Sequence, residues 1–216
     1  MSDSTPPVQL HSAAARFQFL AAAGDPPSKR AIVGTALELF VREGIDAVSV
    51  RALAGAAGYT NPVLFKYFGS KETLAQELFD ACYLRLAERF AAAVLPGRTM
   101  VENLGTLAGA YVEVFEGEIE VFLYVQENLR RFWRTASPDV RRRSLLAHLS
   151  LLLDEAIARG EVASGGDREM LLAALSGLFA QIARQRYFGG FRRSPAALRA
   201  ALVAQSAAFL AAGGTR

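Results

Sequence analysis

Residues 49–68 have the sequence "SVRALAGAAGYTNPVLFKYF" and constrain the fold more than any other part of the chain. Ala54 and Gly58 are small residues four positions apart, and Leu64 follows six positions after the glycine. Small residues let two helices cross closely, and glycine accepts the left-handed conformation of a tight turn. The spacing therefore predicts two short helices that meet at a turn, with Leu64 packed into the angle between them.

The chain beyond residue 27 also has the composition of helices. Alanine, leucine, glutamate and arginine dominate, strand-like alternation is missing, and glycine or proline occurs mainly at breaks. We predict an all-α fold, with a domain boundary inside the long helix that begins at residue 71. The predicted helices span residues 28–43, 50–57, 61–68, 71–95, 100–115, 119–134, 138–159, 168–188 and 195–212.

The composition limits both membrane insertion and disulfide formation. Hydrophobic residues make up 52% of the 216 residues, but many are alanine. No run reaches the roughly 18 apolar residues of a membrane span, and no basic region precedes the apolar patch near the N-terminus, so we predict no secretory signal. Cys82 is the one cysteine, which excludes a disulfide within the chain and predicts a buried structural thiol. We therefore expect a soluble, cytoplasmic protein without membrane contact.

The placement of charge around the predicted turn suits a nucleic acid. The net charge of +3 is too small to identify a partner. However, residues 47–71 contain no acidic residue, and Arg51, Lys66 and Lys71 all lie in this window. Such a segment is compatible with close approach to phosphate groups.

The third predicted helix has one face for a core and other faces for a partner. Leu64 and Phe68, four residues apart, point into a small core beside the first helix. Aromatic residues beside a lysine suit a groove lined by the phosphate groups of a nucleic acid. Lys29 and Arg30, at the start of the first helix, are placed to reach the phosphate backbone from the other side. The alternative is that the aromatic residues belong to the core of an ordinary helical bundle and the lysines to a solvated face. The residues left for a partner are Asn61, Val63, Phe65, Lys66 and Tyr67.

Residues 36–74, "ALELFVREGIDAVSVRALAGAAGYTNPVLFKYFGSKETL", resemble the DNA-binding domain of TetR-family transcriptional regulators. The resemblance lies in a helix that ends in Phe-x-x-x-Gly, a serine-capped second helix with Arg51, the Ala-Gly turn, and the run "LFKYFGSKETL". It implies an N-terminal three-helix helix-turn-helix DNA-binding domain and a larger C-terminal helical domain for ligand binding and dimerisation. We expect a flexible arm at 1–27, the DNA-binding domain at 28–74 and the regulatory domain at 75–216.

The resemblance also implies which side chains contact DNA. Arg51 resembles a residue that contacts bases or phosphate, and Lys71 lies where the family's lysine binds phosphate. The family reads base edges at the positions of Asn61, Pro62 and Val63, and asparagine is a suitable partner for adenine. The predicted DNA-binding residues are Arg51, Thr60, Asn61, Pro62, Val63, Phe65, Lys66, Tyr67 and Lys71.

Two positions depart from the family's pattern. Phe65 replaces the usual tyrosine, which removes a hydroxyl contact to phosphate, and Tyr67 replaces a common histidine. The resemblance implies a homodimeric, ligand-responsive repressor that binds a near-palindromic operator in double-stranded DNA and responds to an unknown small-molecule effector. The two departures keep one alternative open, a helical interaction protein that has lost DNA binding.

A dimer seam is expected in the last two helices, because both are apolar over most of their circumference and rich in small residues. The alternative is that one of them is an internal core helix, since full burial explains the same pattern. The candidate seam residues are Leu171, Leu175, Leu178, Phe179, Leu202 and Phe209.

A ligand pocket is expected among the aromatic residues of the middle helices. Ligand cavities favour such linings together with a few polar groups. Aromatic residues at helical spacing are also ordinary core residues, so plain packing is the alternative. The candidate pocket residues are Tyr111, Phe115, Phe122, Gln126, Trp133 and His148.

The sequence does not indicate an enzyme. The chain has two histidines and one cysteine, and it lacks a phosphate-binding glycine loop, a His-Glu-x-x-His motif and a nucleophile elbow. We therefore expect no catalytic residue, no metal site and no cofactor.

Overall fold

The computed structural model describes residues 16–162, 167–190 and 192–212, and in these ranges it contains helices and no strand. The predicted all-α class is therefore confirmed. No helix in the described part of the chain is both long and apolar enough to span a membrane. The helices are α1 (Pro27–Glu43), α2 (Val50–Ala56), α3 (Asn61–Phe68), α4 (Lys71–Ala93), α5 (Met100–Gly117), α6 (Ile119–Phe132), α7 (Pro138–Arg142), α8 (Leu145–Ala158), α9 (Arg168–Tyr187) and α10 (Pro195–Ala212).

The chain divides into two compact units, Met1–Cys82 and Tyr83–Arg216. Helices α1 to α3 belong to the first unit and α5 to α10 to the second, while residues of α4 belong to both. The functional domain limits that we expect from the sequence, with the DNA-binding domain at 28–74, stay a prediction.

The first unit is built on a helix-turn-helix. Helix α1 packs against α2 and α3, and α2 packs against α3. Leu37, Leu53 and Leu64, one from each helix, are fully buried. Gly58 has a φ of 79°, a left-handed value that favours glycine, and the next N–H donates to the Ala54 carbonyl at 2.9 Å. The turn predicted from the spacing of small residues is thereby confirmed.

The segment directly before α1 contains a short helical turn, within residues 13–23 where the sequence allows a short helix, and the flexibility of the arm stays a prediction. A 3₁₀ turn at Gln18–Leu20 packs against α1, and Phe17 is fully buried. Arg30 donates to the backbone carbonyl of Asp25 at 2.9 Å and so joins this segment to the first turn of α1. Burial of an aromatic side chain offsets the entropy lost when such a short segment is fixed. The rest of the predicted arm, residues 1–15, lies outside the described residues.

The second unit is a helical bundle in which α5, α8, α9 and α10 share an apolar core. Helix α10 packs along α5, and α9 packs against α6, α8 and α10. The single helix predicted over 138–159 is two helices, α7 and α8. Ser144 separates them, because its side chain accepts the Ala147 N–H at 3.3 Å and caps α8.

A buried carboxylate fixes the junction between α5 and α6. Glu118 follows the last residue of α5 and is 7% exposed. Arg85 donates to its two oxygens at 3.1 and 2.8 Å, and Arg89 donates at 2.6 Å. Burial alone would raise the pKa of Glu118, but the hydrogen bonds and charges of the two arginines outweigh burial and lower the pKa. The carboxylate is therefore ionised at neutral pH and holds two arginines of α4 at this junction.

Candidate nucleic-acid interface and ligand cavity

Helix α3 presents one face to the core of the first unit and another to solvent. Leu64 and Phe68 are 0% and 4% exposed, whereas Phe65 between them is 46% exposed. Lys66 is exposed as well. The alternative in which Phe65 is a core residue is therefore excluded, and α3 has an open face that carries an aromatic ring and a cation.

The first turn of α3 carries the residues predicted to read base edges. Thr60 and Pro62 are exposed, and Asn61 and Val63 are half-buried, so each residue keeps accessible surface. Thr60 occupies the N-cap position, but its side chain makes no capping hydrogen bond, although threonine commonly caps. Its hydroxyl therefore remains available for another contact.

Two of the predicted contact residues are bonded inside the first unit. The Tyr67 hydroxyl lies 2.6 Å from the Ser28 hydroxyl in the first turn of α1. Lys71 Nζ donates to the carbonyls of Ile45 and Val48, at 2.6 and 2.8 Å. Two of the three N–H groups of this ammonium are thus committed to the loop before α2. Lys71 therefore holds that loop in place, which favours a positioning role, while its predicted contact with phosphate stays a prediction.

Arg51 and Lys66 are the more accessible predicted cations on this surface. Both residues are exposed, and neither forms an ion pair with a described residue. Lys29, in contrast, pairs with Asp25 at 3.1 Å, and Arg30 is bonded to the carbonyl of the same aspartate. The expectation that Lys29 and Arg30 reach the DNA backbone is therefore not supported, because both cations serve the segment before α1.

The second unit contains a cavity of about 340 Å³. Side chains of α4, α5, α6, α8 and α9 line it, and most of them are aliphatic or aromatic. Leu146 and His148 belong to this lining and are also exposed, so the cavity opens to solvent at α8. The volume lies in the range of small-molecule sites, roughly 300–1,000 Å³.

The cavity contains four of the six residues predicted for a pocket. Phe115 lies behind the lining, where its ring meets Phe122 edge-on with centroids 5.7 Å apart. Trp133 also lies behind it and packs against Tyr83 at 5.6 Å. The helical spacing predicted that these rings lie in the middle helices, but it did not predict whether each ring reaches the cavity wall. The predicted residues on the cavity wall are Tyr111, Phe122, Gln126 and His148.

Helix α4 and the residue that follows it, Val94, also contribute to the cavity, which was not predicted from the sequence. Five residues of this segment line the wall, and their spacing of three, four or seven positions keeps them on one helix face. The signal was present in the sequence, but two of the five are alanines, which a search for aromatic residues passes over. The missed residues are Tyr83, Ala87, Phe90, Ala91 and Val94.

Most residues predicted for a dimer seam are buried inside the single chain. Leu171, Leu175, Phe179 and Leu202 are at most 7% exposed, so they have no surface to offer a second copy. The prediction is wrong for these four, because an apolar pattern shows that a helix face is covered without showing which neighbour covers it. Leu178 and Phe209 are half-buried and keep part of their surface.

Helices α9 and α10 expose a different set of residues. Their exposed positions recur every three or four residues and so form a stripe along each helix. One such stripe comprises Met170, Ala173, Gly177 and Gln181 on α9, and another comprises Ala197, Ala200, Ala204, Ala208 and Ala211 on α10. The alanines of α10 permit close approach of another helix. The other exposed residues of the two helices are Glu169, Arg184, Gln185, Pro195, Ala196, Arg199 and Gln205.

Comparison with known proteins relates the helix-turn-helix to a family. Residues 32–78 match the family model described as "Bacterial regulatory proteins, tetR family". The fatty acid metabolism regulator protein of Bacillus subtilis (strain 168) is 24% identical over 169 residues, which cover 76% of this chain and 79% of that protein.

Solved structures share the fold over most of their length. A bacterial regulatory protein in the tetR family from Rhodococcus RHA1 is 18% identical, with a TM-score of 0.72 over 87% of this chain and 98% of its own. The transcriptional regulator FadR from Bacillus subtilis, in complex with stearoyl-CoA, is 19% identical, with a TM-score of 0.67 over 84% of this chain and 98% of its own. The family match places residues 32–78 in the tetR family of bacterial regulatory proteins, and the solved structures show that the chain shares the fold of such regulators.

Proposed function

We propose that the protein represses transcription by placing α3 in the major groove of a near-palindromic operator, as one half of a dimer. The observation that carries this proposal is the open face of α3, where Asn61, Phe65 and Lys66 keep accessible surface. Residues 47–71 contain no acidic residue that would repel the DNA backbone. Asparagine suits adenine and lysine suits phosphate, so the face combines base reading with backbone contact. A regulator of this kind acts where the DNA is, in the cytoplasm.

A gel shift with the DNA upstream of the protein's own coding region, at two salt concentrations, tests this proposal. A sequence-specific complex that weakens steeply with salt supports it. Asn61→Ala is expected to relax the sequence preference by about 1–3 kcal/mol at one base pair. Arg42→Ala is the control, because Arg42 lies on α1 and pairs with Glu43. Failure to form any specific complex at low salt would contradict DNA recognition.

A helical interaction protein without DNA binding is the second candidate, and the 46% exposure of Phe65 is the observation that favours it. Exposed aromatic side chains are common anchors of protein contacts. The same gel shift separates the two functions. A specific DNA complex would contradict this second function, and the absence of any specific complex would favour it.

The cavity in the second unit supports regulation by a ligand. Its apolar lining suits a hydrocarbon chain. The comparisons point the same way, since the curated relative is a fatty acid metabolism regulator and the similar FadR structure, also from Bacillus subtilis, contains stearoyl-CoA. A molecule with an aliphatic chain then binds in the cavity and lowers the affinity for the operator. Coupling of this kind is typically about 1–3 kcal/mol, or about 5- to 150-fold in affinity.

Operator binding with and without decanoyl-CoA tests this regulatory step, because a ten-carbon acyl chain is of the size that the cavity of about 340 Å³ can hold. At saturating ligand, the expected result is a loss of operator affinity of about 5- to 150-fold, which is the usual size of such coupling. Free coenzyme A is the control and is expected to change nothing. An unchanged affinity with both compounds would contradict regulation by an acyl chain and leave DNA recognition standing.

The exposed stripes of α9 and α10 support dimerisation through these helices. A two-fold seam of small residues brings the helices of two copies close together and excludes water from the alanine row. Ala204→Glu places a charge in the middle of this row and is expected to yield monomers in analytical ultracentrifugation. Ala92→Glu, at an exposed position of α4, is the matched control and is expected to remain dimeric. A dimer that survives Ala204→Glu unchanged would contradict this seam.

A further inference from the structure

Tyr111 of α5 is held on the cavity wall by aromatic rings on both faces. Its ring stacks on Phe90, with centroids 4.0 Å apart and planes 11° apart, and lies 4.2 Å from Phe179. Phe115 and Phe122 meet the same ring edge-on, at 5.8 and 5.7 Å. These contacts leave the ring little freedom, so its hydroxyl has a fixed place in the cavity.

The Tyr111 hydroxyl makes no hydrogen bond to any described residue. Burial raises the pKa of this hydroxyl, and the nearby Tyr83 raises it further, so the group stays a neutral O–H. Tyr111 is half-buried, and its hydroxyl keeps accessible surface where a hydrogen-bond partner can bind. A ligand atom in the cavity can supply that partner.

Most other polar groups of the lining have partners within the chain. The Tyr83 hydroxyl accepts the Leu145 N–H at 3.0 Å, and the Ser176 hydroxyl donates to the Ala173 carbonyl at 3.2 Å. The Gln126 amide is different, because it makes no hydrogen bond to a described residue. The cavity therefore offers a ligand one fixed hydroxyl and one amide.

The described lining of the cavity contains no aspartate, glutamate, lysine or arginine. His148 is exposed at the opening, and its Nδ1 lies 2.8 Å from the Ser144 carbonyl oxygen. A carboxylate or phosphate enclosed here would lose its hydration without gaining a counter-charge, which is strongly unfavourable. The enclosed part of a ligand must therefore be uncharged.

We propose that the cavity selects an uncharged carbonyl compound with a saturated chain, whose carbonyl oxygen accepts a hydrogen bond from Tyr111. The cavity volume of about 340 Å³ sets the size. A group of the size of a water molecule occupies about 30 Å³, so the cavity holds a ligand portion of on the order of eleven non-hydrogen atoms. A ketone or an acyl thioester meets this description, and a free fatty acid does not. The inference rests on the proposed regulatory site and specifies what that site binds.

Titration of the protein with 2-decanone, decanoate and decane tests the selectivity. Fluorescence of Trp133, the one tryptophan of the chain, reports binding, because its ring packs against the cavity residue Tyr83 at 5.6 Å. We expect 2-decanone to bind at least about tenfold more tightly than either other compound. Equal affinity for decanoate would overturn the exclusion of charge, and equal affinity for decane would overturn the role of the carbonyl.

Tyr111→Phe separates the hydroxyl from the ring. The variant is expected to lose about tenfold in affinity for 2-decanone and to bind decane as the unaltered protein does. Tyr59→Phe, in the first unit, is the matched control and is expected to change neither affinity. An equal loss for both compounds would mean that the Tyr111 hydroxyl only supports packing, which overturns the proposal. None of these titrations contains DNA, so their failure and a failure of operator binding are distinguishable.

Discussion

The open face of α3 and the cavity of the second unit present side chains in opposite ways. The first comes from one eight-residue helix and faces solvent. The second comes from five helices between Tyr83 and Ala180 and faces inward. A surface on one short helix depends on the few contacts that orient that helix, whereas a cavity depends on how the whole bundle packs. Substitutions at neighbouring positions should therefore have separable effects in the first unit and shared effects in the second.

The largest expected effect comes from adjacent residues of α3 that face opposite ways. Leu64→Ala removes a fully buried side chain and should lower the free energy of unfolding by about 3 kcal/mol. Phe65→Ala removes an exposed ring and should change stability by less than about 0.5 kcal/mol while it weakens operator binding. Urea unfolding and gel shifts measure the two quantities. Similar destabilisation by both changes would break the contrast between the two faces.

The second expected effect concerns the charged junction of the second unit. Glu118→Gln leaves Arg85 and Arg89 without their carboxylate and should cost about 2 kcal/mol of stability. This estimate is below that for a fully buried pair, because the two arginine side chains are 31% and 29% exposed. Ligand binding should weaken along with stability, since the same helices line the cavity. A destabilised variant with unaltered ligand affinity would show that the junction and the cavity are independent.

The same junction predicts a dependence on acid. The pKa of Glu118 is lowered in the folded protein, so its stabilisation is complete above the unfolded value of about 4.3 and is lost as the pH falls through the lowered pKa. Thermal unfolding between pH 7 and pH 3 should therefore show a steeper loss for the unaltered protein than for Glu118→Gln. Parallel curves would assign the acid sensitivity to other groups.

A third pair of changes sharpens the distinction between positioning and contact within the first unit. Lys71→Met removes the bonds to the Ile45 and Val48 carbonyls and should cost about 1–2 kcal/mol of stability, with an unchanged salt dependence of DNA binding. Lys66→Met should leave stability unchanged and reduce the slope of log affinity against log salt by about 0.9, the value for one phosphate contact. If instead Lys71→Met reduces the salt dependence and Lys66→Met lowers the stability, Lys71 is the residue that contacts phosphate.

The smallest effects are expected at two glycines beside the turn. Gly58→Ala should destabilise by about 1 kcal/mol, because its φ of 79° strains any L side chain. Gly55→Ala, inside α2, should instead stabilise by about 0.5–1 kcal/mol through helix propensity. An added Cβ at either glycine meets no atom within 4 Å, so the difference isolates the backbone. Equal shifts in the unfolding midpoint would contradict this explanation.

Local signals made the first unit predictable from sequence. The bounds of α3 agree at both ends with the prediction, because Pro62 lies in its first turn and Gly69 directly follows its last residue. In the second unit, the break at Ser144 was missed, since a serine within an apolar helical pattern is compatible with both an interior position and a cap. Helix ends are thus predictable where the residue type permits one conformation.

The sequence did not predict which neighbouring helix covers the apolar faces of α9 and α10. Leu175 and Leu202 have the pattern of seam residues, yet both are fully buried within their own chain. Periodicity identifies the covered face of a helix, but the identity of the covering helix depends on long-range packing that a single sequence does not encode locally. The richness of α9 and α10 in small residues did not identify their exposed faces for a complementary reason, because alanine is common on both buried and open helix faces.

The stacked rings around Tyr111 also determine how the cavity distinguishes isomers. Because Phe90 and Phe179 hold this ring at 4.0 and 4.2 Å, its O–H cannot follow a carbonyl that arrives at another depth. In 2-decanone and 5-decanone the atoms are the same, but the oxygen lies at different distances from the chain ends. The site therefore distinguishes hydrocarbon ligands by the position of the oxygen along the chain. Phe90 and Phe179 produce this selectivity by fixing the Tyr111 ring.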